Sequence, residues 1–590
     1  MIFGKGIEFL NQMASKQLVS ATDIHLSEFL TSLDENLRQD EEKAVFAAAV
    51  ALVSNNISNG NICLTEEEVA EFVETNRDLF ESFRSFGFQR IKEVLLKSSC
   101  CTENPGADPK PVVISGNRIY FYKYCGYEES LAAKLSEISK YSGKYAERAG
   151  EIRGVFAKLF DGTNLGQMKA AETVIENRFS VITGGPGTGK TTTIAKILVG
   201  ISALFPEERI MLAAPTGKAS ARMTEALKKA VSGNIRPLPG VASDEILDKI
   251  SALEGTTIHK MLESKFGRFS RNKENPLAAD LLIVDEAGML DISLFLSLLD
   301  ALEENASIVL LGDKDQLASV GVGNVLCDIC SAAEKDLLPS KIVARLEKSY
   351  RFDADSGIGK LAKAVNTGKS GKEIIKICES ESSLGFSEIK NSSDLAGIAK
   401  EAAKKYEFLS DIRLQPAEIL NKLDEFKVLA PSKEDSFGVS ELNKMIEFFL
   451  NKNPENGFYD GQPVMVTKND YANGLMNGDC GVILERDGRK YAYFKVDNEV
   501  KQFNASSLTS LETVYAMTVH KSQGSEYDSV LIVLPERDMP ILTKEILYTA
   551  VTRAKKEVRI AAKETVLDYT VRNSAARNSG FEEALRGSAG

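Results

Sequence analysis

Short runs of apolar residues, each followed by a stretch of helical periodicity, recur through the chain from residue 179 onward. They cover residues 179–183, 210–214, 281–284, 308–311, 428–430, 530–534 and 558–562. Strands that are apolar on both faces and alternate with helices predict a parallel sheet covered on both sides. A long stretch near 355–425 divides the runs into two groups, which predicts two α/β domains. Between Gly461 and Leu511 the pattern changes to period two, with runs at 464–466, 481–484, 491–496 and 500–503 separated by Asn-Gly, Asp-Gly and Asp-Asn turns. This predicts a small antiparallel barrel inserted in the second α/β domain. Residues 20–100 read as helices, with an apolar run at 44–53 between charged segments. The turn formers at 104–109 predict a linker, so the expected divisions are 1–112, 113–352 and 353–590.

Composition narrows the picture. Hydrophobic residues make up 43% and charged residues 26% of the 590, ordinary for a globular chain of several domains. The net charge of −12 excludes binding nucleic acid by bulk attraction, so any such track must be a local groove. Eight scattered cysteines without a secretory signal point to reduced thiols and a cytoplasmic location. Cys327 and Cys330 form a single C-x-x-C pair, short of the four ligands of a structural zinc site. No run approaches the ~18 apolar residues of a membrane span.

Candidate chemistry begins where the run at 179–183 leads into Gly184-Gly185-Pro186-Gly187-Thr188-Gly189-Lys190-Thr191, with helix-compatible residues after it. Glycines let backbone N–H groups and a helix N-terminus face phosphates. Lys190 would neutralise the β- and γ-phosphates of ATP, and Thr191 would hold Mg²⁺. A second apolar run ends in Asp285-Glu286-Ala287-Gly288. Asp285 would complete the Mg²⁺ shell, and Glu286 would orient or deprotonate the attacking water. Gln167 has an amide that can pair with an adenine edge. Taken singly these are a Gly-rich turn, an acidic surface pair and a solvated Gln. Their order along the chain favours a nucleotide site.

Three further motifs bear on hydrolysis. Gly312-Asp313-Lys314-Asp315-Gln316-Leu317 follows another apolar run and places Gln316 where a γ-phosphate is sensed. Arg351, in Ser349-Tyr350-Arg351-Phe352, and Arg553, in Tyr548-Thr549-Ala550-Val551-Thr552-Arg553-Ala554, can stabilise phosphoryl charge from across a cleft. With Ala214-Pro215-Thr216-Gly217-Lys218-Ala219 and the segment from Tyr515 to Glu526, the set resembles the ordered motifs of superfamily 1 helicases. More narrowly it resembles the RecD family, the alpha subunits of exodeoxyribonuclease V, over roughly residues 115–565.

The resemblance implies two RecA-like domains gripping single-stranded DNA, with ATP and Mg²⁺ in the cleft and 5′-to-3′ movement. It assigns Gly184, Gly185, Pro186, Gly187, Thr188, Gly189, Lys190, Thr191, Thr192, Gly524 and Glu526, with Gln167, to the nucleotide. It assigns Lys190, Asp285, Glu286, Gln316, Arg351 and Arg553 to hydrolysis, and Pro215, Thr216, His259, Thr518 and His520 to the DNA track. Gly288 stands where family members often have Ser, a departure that leaves the two acids intact. A strand-separating hairpin is implied near 262–278, and an SH3-like insertion at 461–511. The mainly helical N-terminal domain, with a strand at 118–124, implies docking on a gamma subunit, in a heterotrimer with a nuclease-bearing partner that acts on duplex ends in break repair. The alternatives are a stand-alone RecD-like helicase, a structural subunit with a dead ATPase, and an RNA helicase. Retention of Lys190, Asp285, Glu286 and both arginines opposes the second, and the N-terminal domain opposes the third.

Overall fold

Six parallel strands build the first sheet, in the spatial order Val343–Leu346, Phe179–Gly184, Ser307–Gly312, Leu281–Val284, Ile210–Ala214 and Gly255–Thr257. This is a computed structural model that describes the chain apart from residues 1–4, 81–85, 161–163, 237, 239, 352–355, 453–456, 471, 497–498, 576 and 589–590. Alternate residues of the four central strands point to opposite faces. Phe179, Val181, Leu282 and Leu310 pack with Phe295 on one side. Ile182, Ile283, Val309 and Leu311 pack on the other against Ile194, Ile197 and Leu198 of the helix Lys190–Ser202. Those four strands coincide with the apolar runs. The outer two do not, because an edge strand keeps polar groups such as Arg345, Thr256 and Thr257.

The second sheet is also parallel, in the order Leu384–Glu388, Ala554–Ala562, Tyr527–Val533, Phe426–Ala430 and Ala516–Thr518. The stretch that divides the two groups of runs is itself part of this second unit. It supplies the edge strand Leu384–Glu388 and the helices Gly357–Asn366, Gly371–Ser380, Ser392–Lys405 and Pro416–Leu423.

Between Phe426–Ala430 and Ala516–Thr518 lies a five-stranded antiparallel sheet. Its order is Glu499–Asn504, Arg489–Val496, Cys480–Arg486, Gln462–Val466 and Leu511–Thr513, around Val464, Ile483, Ala492 and Phe494. Among the described residues the expected barrel is not closed by strand pairing, since the two outer strands do not bond to each other. The Asp487-Gly488 turn has both residues at positive φ, as its sequence requires. The Asp-Asn turn at 497–498 lies outside the described residues.

The N-terminal region packs helices against a four-stranded sheet, Leu64–Thr65, Arg118–Phe121, Val112–Ser115 and Cys101–Thr102. The apolar run at 44–53 falls in the helix Asp40–Ser58, buried all round. Two expectations are corrected. The turn-rich segment 104–109 is not a linker: it joins Cys101–Thr102 to Val112–Ser115, which pair with each other in one sheet. The two strands run parallel, so the segment is a return loop inside one sheet and not a domain boundary. The strand expected at 118–124 ends at Phe121, and Tyr122–Ile138 is a helix. Cys125, Glu128, Leu131, Ala132 and Leu135 form a buried stripe at helical spacing, which overrides the β preference of three tyrosines.

The chain's end also departs from a simple division at 353. After the helix Glu564–Arg572 it crosses back, and Phe581 and Leu585 of the helix Phe581–Ser588 join the core of the first sheet. Arg577 donates to Ser319 Oγ and O and to the Gly321 and Gly323 carbonyls. The Gly580 N–H donates to the buried Glu128 carboxyl at 2.8 and 2.9 Å. Burial pushes Glu128 up to about 7 against the pull of Ser579, Gly580, Tyr120 and Arg118. A carboxyl raised in the folded state stabilises at low pH, and that contribution falls away as pH rises through about 7. The thermal midpoint of Glu128→Gln should therefore gain on that of the unaltered chain as pH rises from about 6 to 8. A constant difference across that range would contradict it.

Candidate active site

Parallel register sets where the functional loops begin. Thr183 is level with Gly312, Val284 with Leu310 and Ala213, and Ala214 with Thr257. The glycine loop, Asp285, Asp313, Pro215 and Ile258 therefore leave one edge of the sheet side by side. Ligands of open parallel sheets bind outside that carboxyl edge.

The loop after Phe179–Gly184 turns on Gly187 and Gly189, at φ +77° and +80°, and feeds the helix Lys190–Ser202. Both glycines are also required by space. A Cβ on Gly187 would stand 2.2 Å from Arg351 Cβ, and one on Gly189 would stand 3.0 Å from Gln167 Nε2. Lys190 Nζ donates to the carbonyls of Gly184 at 2.6 Å and Gly185 at 3.2 Å. Thr191 and Thr192 lie half-buried in the helix's first turn, and Thr188 Oγ1 caps Gly185 O at 2.9 Å. Pro186 O accepts from Ser349 Oγ, and Tyr350 N–H donates to Gly187 O. Gln167 is buried beside the loop, its N–H held by Asn164 Oδ1.

Asp285 follows Leu281–Val284, and its carboxylate accepts the Glu286 N–H at 2.8 Å. Burial raises its pKa and Glu286 adds to that, while Lys190 opposes both. Glu286 is at φ +52°, a left-handed conformation that a side chain other than Gly rarely adopts without a reason. Asp313 is buried and pushed up to about 6 by that burial, again against Lys190. One lysine thus stands within electrostatic reach of two carboxyls. Thr191, Asp285 and Asp313 offer hard oxygen donors, the kind that suits Mg²⁺.

The second sheet completes the site from the other side. Arg553, only 4% exposed, donates to Gln316 Oε1 at 3.0 Å, to Thr549 O at 3.0 Å and to Ser525 O at 3.3 Å. Arg351 pairs with Glu526, which also holds Arg222 Nη2 at 2.7 Å. Arg222 reaches the Gly524 carbonyl as well, and Gly524 is at φ +70°. Burial lowers the pKa of Arg351 and Arg553 alike, offset first by Glu526 and Glu286 respectively. The structure therefore brings Gln167, the glycine loop, Asp285, Glu286, Gln316, Arg351, Arg553, Gly524 and Glu526 close together. It adds Asp313, Tyr548 and Arg222, for which the sequence reading gave no role. Phe352 lies outside the described residues.

Of the residues expected on the DNA track, Pro215, Thr216 and His259 follow strands of the first sheet, and Thr518 and His520 end and follow the strand Ala516–Thr518 of the second. Thr216 caps the helix Gly217–Ala230 through the Ala219 N–H, and Met476 from the inserted sheet rests on Gly217. His259 is exposed, with Phe269 5.9 Å away between ring centres. Thr518 Oγ1 accepts the Lys521 N–H, and burial lowers the pKa of His520. Next to His259, Ser264–Lys265 and Arg268–Phe269 form a two-stranded hairpin. At its tip Phe266 and Gly267 sit at φ +49° and +76°, with Phe266 fully exposed.

Comparison with known proteins shows what the chain is similar to. Residues 15–120 match the RecBCD enzyme subunit RecD N-terminal domain, 167–322 an AAA domain, and 513–561 the UvrD-like helicase C-terminal domain. Over 593 residues the chain is 31% identical to RecBCD enzyme subunit RecD of Mycolicibacterium smegmatis, covering 97% of this chain and 98% of that one. The same subunit of Haemophilus influenzae is 29% identical, with 98% and 99% covered. The ATP-dependent RecD2 DNA helicase of Deinococcus radiodurans is 30% identical over 80% of this chain and 59% of its own.

Proposed function

The chain belongs to the RecD family of RecBCD enzyme subunits, and from that premise we propose that ATP hydrolysed between its two parallel sheets drives it 5′-to-3′ along single-stranded DNA. It is an ATP-dependent DNA helicase of the RecD type. One observation carries the location of the site. Lys190 and the Asp285–Glu286 pair, on one sheet, face Arg553, Glu526 and Gly524, brought by the other. Closing the sheets completes the charge set, so hydrolysis and domain movement are linked.

Lys190 neutralises phosphate, Thr191 and Asp285 would hold Mg²⁺, and Glu286 positions the attacking water. Bound Mg²⁺ would neutralise charge on the β- and γ-phosphates. Gln316, Arg351 and Arg553 meet the γ-phosphate, Gln167 the adenine, and Glu526 and Gly524 the remaining nucleotide. To reach a phosphate, Lys190 must exchange the Gly184 and Gly185 carbonyls for it. Arg351 must likewise leave Glu526. The purified chain should hydrolyse ATP faster when single-stranded DNA is added, and no stimulation would count against the reading.

The two parallel sheets are read as RecA-like domains and the antiparallel sheet as an SH3-like insertion. Pro215, Thr216, His259, Thr518 and His520 line the DNA, and the hairpin at 264–269 separates strands with Phe266 as its wedge. Phe266→Ala should lower duplex unwinding about tenfold, roughly 1.4 kcal/mol, while hydrolysis stimulated by single-stranded DNA stays unchanged. Equal losses in both assays would assign Phe266 to binding instead. The N-terminal match favours a subunit that assembles with beta and gamma chains over a stand-alone helicase. Affinity capture from the native cells should recover both partners.

A further inference from the structure

Tyr548 stands five residues before Arg553, on the helix Lys544–Val551, and is 6% exposed. Its ring belongs to the apolar cluster of the second sheet and therefore moves with that sheet. Its hydroxyl reaches across the cleft and donates to Asp313 Oδ2 at 3.1 Å. The same oxygen accepts the Gln316 amide, also at 3.1 Å. Gln316 is thus held at both ends, Nε2 by Asp313 and Oε1 by Arg553. A third bond between the same two segments runs from the Leu317 N–H to Thr549 Oγ1 at 3.0 Å. The hydroxyl also lies on the phosphate loop, since a Cβ on Gly185 would come within 3.0 Å of it.

Orientation is what this arrangement controls. Side-chain amides and carboxylates rotate broadly about their last torsion unless partners fix them. Asp313 Oδ1 is fixed by the Asp315 N–H at 3.1 Å, from its own loop. Oδ2 is shared by one donor from its own loop and one from the opposite sheet. Burial pushes the phenol pKa up, so Tyr548 stays protonated and acts as the donor.

We propose that the Tyr548 hydroxyl is a positioning group that orients Gln316 through Asp313, so that Gln316 faces the nucleotide only when the second sheet is closed on the first. This rests on the ATPase reading above. A hydroxyl that merely satisfied itself on a nearby carboxylate would have no kinetic link to Gln316, and the two cases separate in a double-mutant cycle.

The test uses the full-length chain with saturating single-stranded DNA. Tyr548→Phe keeps the ring and removes only the donor. It should lower kcat about tenfold and leave KM for ATP within about twofold. In a Gln316→Ala background the same change should cost nothing further. An unchanged kcat, or the full tenfold loss repeated in the Gln316→Ala background, would overturn the proposal. Thermal midpoints of all four proteins serve as the folding control: a kcat loss that tracks a lowered midpoint would also overturn it. No DNA-stimulated hydrolysis in the unaltered chain would remove the ATPase reading itself, which distinguishes that failure from this one.

Discussion

Lys190→Gln is expected to abolish DNA-stimulated ATP hydrolysis while the chain stays folded. Removing one preorganised group that stabilises developing charge costs about 10²–10³ in kcat. Here the loss should lie at the upper end or beyond, because a full positive charge goes. Lys190 is the cation common to Asp285 and Asp313, both of which it holds below the value that burial would set. Stability should change little. The bonds lost are those to Gly184 O and Gly185 O, and one such bond is worth about 1 kcal/mol. Steady-state hydrolysis with and without DNA, beside a thermal melt, checks both halves. Normal turnover would sink the motor assignment.

Arg553→Ala should be as severe and should also loosen the closed cleft. An arginine delivered across a cleft to a transferring phosphoryl group is worth about 10³–10⁵ in kcat. Arg553 is almost wholly buried, and its loss leaves Gln316 Oε1, Thr549 O and Ser525 O without a shared donor. Each buried acceptor left unpaired costs about 1–3 kcal/mol, less where water enters. A drop in the thermal midpoint should therefore accompany the kinetic loss, unlike Lys190→Gln. Arg553→Lys should not rescue, because a point charge on a flexible stem cannot hold three acceptors in a fork. Rescue by Lys would reduce Arg553 to a source of positive potential.

The chain's pattern revealed the interior better than the edges. Phe179–Gly184 and Leu281–Val284 are legible because both faces are covered, which demands unbroken apolar runs. Val343–Leu346 and Gly255–Thr257 are not, since an edge strand keeps Arg345 or two threonines without penalty. The turn formers at 104–109 misled because the same residues suit a return loop between parallel strands of one sheet and a link between domains. Only pairing with Val112–Ser115 distinguishes the two, and pairing is a long-range fact.

At the site, residues that stand in a spaced motif were readable, Arg351 and Arg553 included, and their partners across the cleft were not. The glycine loop, Asp285 and Glu286 announce themselves by spacing. Arg222 does not, because its partner Gly524 lies 302 residues away and an arginine on a helix is ordinary. Asp313 and Tyr548 sat inside motifs already singled out for Gln316 and Arg553. Their pairing, 235 residues apart in sequence, explains why those motifs include them.

A motor that turns hydrolysis into movement in one direction distinguishes the two ends of a strand. A duplex carrying either a 5′ or a 3′ single-stranded tail, incubated with the purified chain and ATP, shows which end it uses. Strand separation from the 5′-tailed duplex alone is the predicted result. Separation only from the 3′-tailed duplex would contradict it.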